Sequence, residues 1–130
     1  MLKKFVSHLV AAIVAVSLVS VAHAADKQKF DATAFAAAQA AGKPILVEIH
    51  ADWCPTCKAQ APILSDLTGK ERFKALQVFT VDFDSQKDVV RALGARAQST
   101  LITFKGKTET GRSVGDTNAA SIAALLNTTS

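Results

Sequence analysis

Cys54 and Cys57 are the only cysteines of the chain, two residues apart in Trp53-Cys54-Pro55-Thr56-Cys57-Lys58. Two thiols at this spacing can close into a small disulfide and open again. A structural staple is the plain alternative. Staples stabilise more the longer the loop they close, and a two-residue gap closes a very short one. A metal site is the second alternative. Zinc asks for about four ligands, and beyond residue 24 only His50 adds a histidine. Covalent haem would need histidine at position 58, where the chain has Lys58. The pair therefore reads as a redox centre, Cys54 with Cys57, that calls for no cofactor and no metal.

The residues around the pair say which thiol attacks. Ile45-Leu46-Val47-Glu48-Ile49 is a nearly continuous apolar run, the pattern of a strand buried on both faces. A helix is expected to start at Cys54, where free backbone N–H groups and the helix dipole favour a thiolate. Pro55 suits the first helical position, having no N–H to lose. Cys57, one turn in, should be less exposed and resolve the mixed disulfide that Cys54 forms with a substrate. Glu48 is the one acid of the strand. Buried beside a thiol it would be a proton acceptor; the bland alternative turns it to solvent. His50 and Asp52 flank the motif and are given no chemical role.

The elements that must hold this arrangement can be read from the same pattern. Helices are expected over residues 30–41 with Asp31 as N-cap, 54–67 with Pro62 inside as a kink, 86–93 ended by Gly94, and 118–126 capped by Thr117. Strands are expected over 45–49, 77–83, 100–105 and 108–114, the last two joined at Gly106-Lys107. The alternation in the first half asks for parallel pairing through right-handed crossovers, and the hairpin adds antiparallel edges. The fold class is α/β, a mixed central sheet with helices on both faces.

Composition bounds the setting. Lys3 and Lys4, the apolar run from Leu9 to Val21 and Ala22-His23-Ala24 make a secretory signal with cleavage after Ala24. A membrane anchor is the alternative, but about 13 apolar residues fall short of the roughly 18–20 that span a bilayer. Without residues 1–24 the 15 basic residues fall to 13 against 11 acidic, a net charge of +2 with no long basic cluster. That excludes an electrostatic nucleic-acid footprint. Residues 25–130 suit one domain. Export places the dithiol in the periplasm or outside the cell, where disulfides persist.

The stretch Ile45 to Lys58, with Pro62 in the following helix and Gly115 before the last one, resembles the thioredoxin family. Gly42-Lys43-Pro44 and Ala51-Asp52-Trp53-Cys54 lean towards its periplasmic disulfide-reducing branch. The resemblance covers almost all of residues 27–127 and implies a thioredoxin-like fold and thiol–disulfide exchange. It implies that Glu48 stands where thioredoxins carry a buried aspartate, proton acceptor for the second cysteine. Thr80 takes the place of a strand-borne lysine near that acid. Trp53, Pro55, Thr56, Ser99 and Thr100 would border the site where a disulfide-containing protein substrate lies. The implied partners are such substrates and a membrane thiol donor, the implied state a monomer. Thr56 brings no charge to Cys54, which favours a reductant. The departure is Ser99, in the slot of the family's cis-proline. A cis bond without proline costs about 2.5–4 kcal/mol, so either the Gln98-Ser99 bond is trans in a reshaped loop, or the fold holds a strained cis bond. Two other readings stay open: a metal or iron–sulfur carrier using the dithiol of two chains, and a binding module without turnover.

Overall fold

The computed structural model describes residues 25–130. The expected signal segment, residues 1–24, lies outside the described residues. The elements run β1 (Asp26–Lys29), α1 (Ala32–Ala40), β2 (Pro44–His50), α2 (Pro55–Thr68), β3 (Gln77–Asp82), α3 (Lys87–Ala92), β4 (Thr100–Lys105), β5 (Thr108–Val114) and α4 (Ala119–Asn127). A single 3-10 turn, Glu71–Phe73, leads into β3. The sheet order is β1-β3-β2-β4-β5. The first three strands are parallel, and β4 and β5 pair antiparallel. This is the mixed sheet that the alternation implied, with one strand more.

That strand, β1, has the sequence Asp-Lys-Gln-Lys and no apolar alternation to betray it. Charge is what an edge strand tolerates and uses to refuse further pairing. It pairs only with β3, so its polarity costs little. The last helix differs by its cap. Asn118, not Thr117, is the N-cap, and its side chain accepts from Ala120 N and Ser121 N. Both types cap well; Asn118 is the one placed to reach two orphan donors.

Alternation along β2 divides the core. Ile45, Val47 and Ile49 face α1 and α3, where they meet Phe79, Val81, Ile102, Phe104 and Val90. Phe35 of α1 packs edge-on against Phe79 and Phe104 with ring centroids 5.6 and 5.4 Å apart. Leu46 faces α2 and α4, among Leu64, Leu67, Ile122 and Leu126. Each fully buried aliphatic side chain is worth about 1.5–3 kcal/mol relative to exposure. The two faces therefore clamp β2 from both sides. The ends of β2, β3 and β5 and the start of β4 come together at one end of the sheet, where ligands of such folds bind.

Candidate functional site

Helix α2 begins where the sequence places it. Cys54 is its N-cap, with extended backbone (φ −79°, ψ 113°), and Pro55 fills the first turn. The Cys54 Sγ accepts the Cys57 backbone N–H at 3.1 Å, one of the donors that a helix start leaves free. The helix continues through Pro62 to Thr68. Both thiols are free, and they form a small buried cluster with Ala51, against which Phe83 packs.

Both thiols are buried, so surface exposure does not tell the attacking sulfur from the resolving one. Cys54 is 1% exposed and Cys57 4%, and the Cys54 sulfur folds back onto its own helix turn through its bond to the Cys57 N–H. Burial pushes the Cys54 thiol up, but hydrogen bonds from the Cys57 side chain and N–H, the Ser99 hydroxyl and the Thr56 N–H outweigh it. The net direction is down. Cys57 goes the other way. Burial raises it first, and the neighbouring Cys54 sulfur raises it further. The two thiols are thus split, with the N-cap sulfur the easier to ionise. Position sets this difference, since the sulfurs share one pocket.

Glu48 is buried: its side chain is 8% exposed. The solvent-facing alternative is excluded. Its carboxylate has a partner that sequence reading missed, since Lys27 Nζ on β1 donates to Oε2 at 3.0 Å. Glu48 lies opposite Thr80 on β3, and Lys27 reaches it across that strand from the sheet edge. Thr80 holds the lysine's expected place, and its hydroxyl is buried without a hydrogen-bond partner. Nothing local in Lys27 signals this role; only the strand order brings it there. Glu48 and Lys27 line a cleft of about 250 Å³ between the sheet and α2, with Ala61, Leu64 and Ser65.

The loop before β4 holds the largest departure from expectation. Every described peptide bond is trans, Gln98-Ser99 included. The cost appears instead in φ. Ser99 has φ +56°, the one positive value at a non-glycine among the described residues. L-residues pay roughly 1–2 kcal/mol for the left-handed region. Three contacts hold it there: Ser99 N donates to Ile49 O at 2.7 Å, and Ser99 O accepts from Gly115 N at 2.9 Å and Gln60 Nε2 at 3.2 Å. Its hydroxyl oxygen lies 2.6 Å from Gln98 O, so its one proton goes either there or to the Cys54 sulfur. Gln60 also donates to Asp116 O at 2.8 Å, tying both loops to α2. A signal for Gln60 was present: Cys57, Gln60, Leu64 and Leu67 share the buried helical stripe.

Of the other expected border residues, Pro55 and Thr56 lie in the first turn of α2 beside the pair. Thr100 is buried, its hydroxyl donating to Ala97 O at 2.7 Å, so that side chain serves the loop. Trp53 is 57% exposed, and Val114 at the end of β5 is 64% exposed; no other large apolar side chain among the described residues is exposed. Trp53 Nε1 donates to Asp84 Oδ2 at 2.7 Å, which fixes its ring. The described residues hold no group of three His, Cys, Asp or Glu side chains placed to bind a metal ion.

A dithiol at a helix start, split in acidity and overhung by a strained loop, can exchange disulfides. Comparison with known proteins points the same way. The thioredoxin family model matches residues 21–128. The thioredoxin of Pseudomonas aeruginosa is 32% identical over 84 residues, spanning 65% of this chain and 77% of that protein. A thioredoxin of Mycobacterium tuberculosis is 35% identical over 80 residues, spanning 62% and 68%. The crystal structure of Trxlp from Edwardsiella tarda EIB202 superposes with a TM-score of 0.76 at 38% identity, covering 78% of this chain and 98% of that one. With sheet order, dithiol position and sequence match in agreement, the chain belongs to the thioredoxin family and is a thiol–disulfide oxidoreductase acting on disulfide substrates.

Proposed function

We propose that the chain is an exported reductant in which Cys54 attacks, Cys57 resolves and Glu48 receives a proton. The observation that carries this is the split between the thiols: the N-cap sulfur is favoured as thiolate, and its neighbour is held as thiol. The Cys54 thiolate attacks one sulfur of a substrate disulfide and expels the other as thiolate. Cys57 then gives up its proton towards Glu48, attacks the Cys54 sulfur and expels the second substrate sulfur. The substrate gains two electrons, and the pair closes as the Cys54-Cys57 disulfide. The two substrate thiolates take one proton back from Glu48 and one from solvent, where Cys54 had lost its own. A thiol donor on the membrane returns the two electrons. Trp53 and the backbone around Ser99 support the substrate, with Pro55 and Thr56 at its border. The protein acts as a monomer, released by cleavage after Ala24.

The reductant direction rests on what stabilises the Cys54 thiolate: hydrogen bonds alone, with no cation among the causes. Thr56 contributes a backbone N–H and no charge, and desolvation opposes ionisation. In this fold the poise runs from about −270 to about −120 mV, lower where the reduced thiolate is less stabilised. The test is equilibration of the pair against a glutathione buffer, joined to trapping with Cys57→Ser. A potential near the low end, with mixed disulfides trapped on Cys54 from periplasmic extract, supports the reading. A potential near the high end makes it an oxidant, and failure to trap any disulfide partner removes the exchange mechanism.

A further inference from the structure

Beside the dithiol lies a groove of about 270 Å³, lined by Phe83, Asp84, Lys87, Val90, Arg91, Ala95 and Arg96. It shares a wall with the site, since Phe83 also packs against the Cys54 and Cys57 cluster. Its near end is tied to the substrate platform through the bond between Asp84 and Trp53. Its far end leads directly into the Ser99 loop, three residues after Arg96. The floor is apolar, made by Val90 and Ala95, both buried.

The charges of the lining are unequal. Asp84, its single acid, is held by the Trp53 indole N–H. Arg91 is paired with Asp88, one turn earlier on α3. Lys87 and Arg96 are exposed and have no ion-pair partner among the described residues. Two unpaired cations therefore stand in a groove with an apolar floor that shares Phe83 with the dithiol cluster. The frame beneath them is braced. Arg112 of β5 donates to Leu93 O at 3.0 Å and Gly94 O at 3.2 Å, capping the end of α3, while Glu109 holds its guanidinium at 2.7 Å. A braced wall needs little ordering when a chain binds.

We propose that this groove is a specificity subsite for acidic segments: it receives Asp or Glu side chains a few residues from the cysteine that Cys54 attacks. The proposal rests on the thiol-exchange reading above and adds the class of substrate. An extended segment crossing Trp53 towards the Ser99 loop passes the mouth of the groove. An acidic residue entering it meets Lys87 and Arg96, while its methylenes cover Val90 and Ala95. A basic residue there meets like charge instead. Such charge complementarity acts on encounter and on rejection of wrong partners more than on raw affinity.

The experiment follows the reduced protein as it oxidises with three synthetic peptide disulfides that share a core and differ only in flanking residues, acidic, neutral or basic. The expected order of kcat/KM is acidic, neutral, basic, with a ratio of acidic to basic of about threefold to tenfold from two exposed cations. That ratio should invert to below one in Lys87→Glu/Arg96→Glu and fall towards one at high salt in the unaltered protein. The salt arm stands even if the charge-reversed protein fails to fold. A ratio of one in the unaltered protein, or one that survives both charge reversal and salt, overturns the subsite. A protein that reduces none of the three peptides fails at the earlier step, and the exchange reading falls with it.

Discussion

The first turn of α2 and the loop before β4 close on the same two sulfurs, and they are held by opposite means. In the helix turn each residue sits where its own preferences put it. Pro55 has the φ that its ring imposes, Cys54 is extended as an N-cap must be, and the capping bond spans three residues. In the loop Ser99 sits where its preferences do not put it, with φ +56°, and is kept there by Ile49, Gln60 and Gly115 from three distant parts of the chain. The nucleophile is thus encoded locally and its platform globally. Damage to the turn should strike chemistry with little effect on the fold. Damage to the loop should strike stability and substrate handling together.

The largest effect tests the first half of that contrast. Cys54→Ser should abolish exchange, a loss of several orders of magnitude, because the hydroxyl has no comparable nucleophilicity at neutral pH. Unfolding midpoints should move little. The pH dependence sharpens it. Alkylation of Cys54 in the reduced protein should reach its plateau below the pH at which an ordinary free thiol does. Cys57, measured in Cys54→Ser, should have lost the neighbouring sulfur's share of its upward shift but kept that of burial. Replacing Cys57 by alanine removes a hydrogen bond that favours the Cys54 thiolate, so the Cys54 profile should move to higher pH. A profile that stayed in place would show that the helix start alone sets the acidity.

Next in size is Gln60→Ala. The amide serves both Ser99 O and Asp116 O from a buried position, and losing it should cost about 1–3 kcal/mol. Urea denaturation measures this. In the same variant, KM for a protein disulfide should rise, while the alkylation rate of Cys54 stays near that of the unaltered protein. Equal losses in both would mean that loop and turn are one unit.

Lys27→Met comes third. It leaves the buried Glu48 carboxylate without its partner. The full penalty for a broken buried pair is about 3–5 kcal/mol, but Lys27 is itself more than half exposed. Water can replace part of its charge, so about 1–2 kcal/mol is expected. A double-mutant cycle with Glu48→Gln should recover most of that loss, and a cycle with no coupling would show that the pair is ornamental.

These sites mark how far the sequence alone reaches. The dithiol, the helix it caps, the buried acid and the four inner and hairpin strands were legible because periodicity and local propensity determine them. Gln60 was within reach through the buried stripe of α2. Lys27 and the strand that carries it were not, since an exposed, charged edge leaves no apolar pattern. Ser99 shows the limit from the other side. Its identity announced that the loop departs from the resemblance, but whether ω or φ carries the cost depends on groups 16 to 50 residues away, among them Ile49, Gln60 and Gly115.

The smallest effect is the most telling for the loop. Ser99→Gly removes the Cβ that makes φ +56° costly, which favours the folded state by about 1 kcal/mol. Glycine also frees the unfolded chain, which opposes folding by about 0.4–1 kcal/mol. The two nearly cancel, so stability should change by less than about 0.5 kcal/mol. Ser99→Val keeps the same backbone demand and adds a branch that the left-handed region rejects. It should destabilise clearly. If the two variants were equally stable, the three hydrogen bonds would not be holding strain at all. If glycine is tolerated but Cys54 alkylation shifts to higher pH, the serine is kept for its hydroxyl beside the thiolate, and the conformation is the means of placing it there.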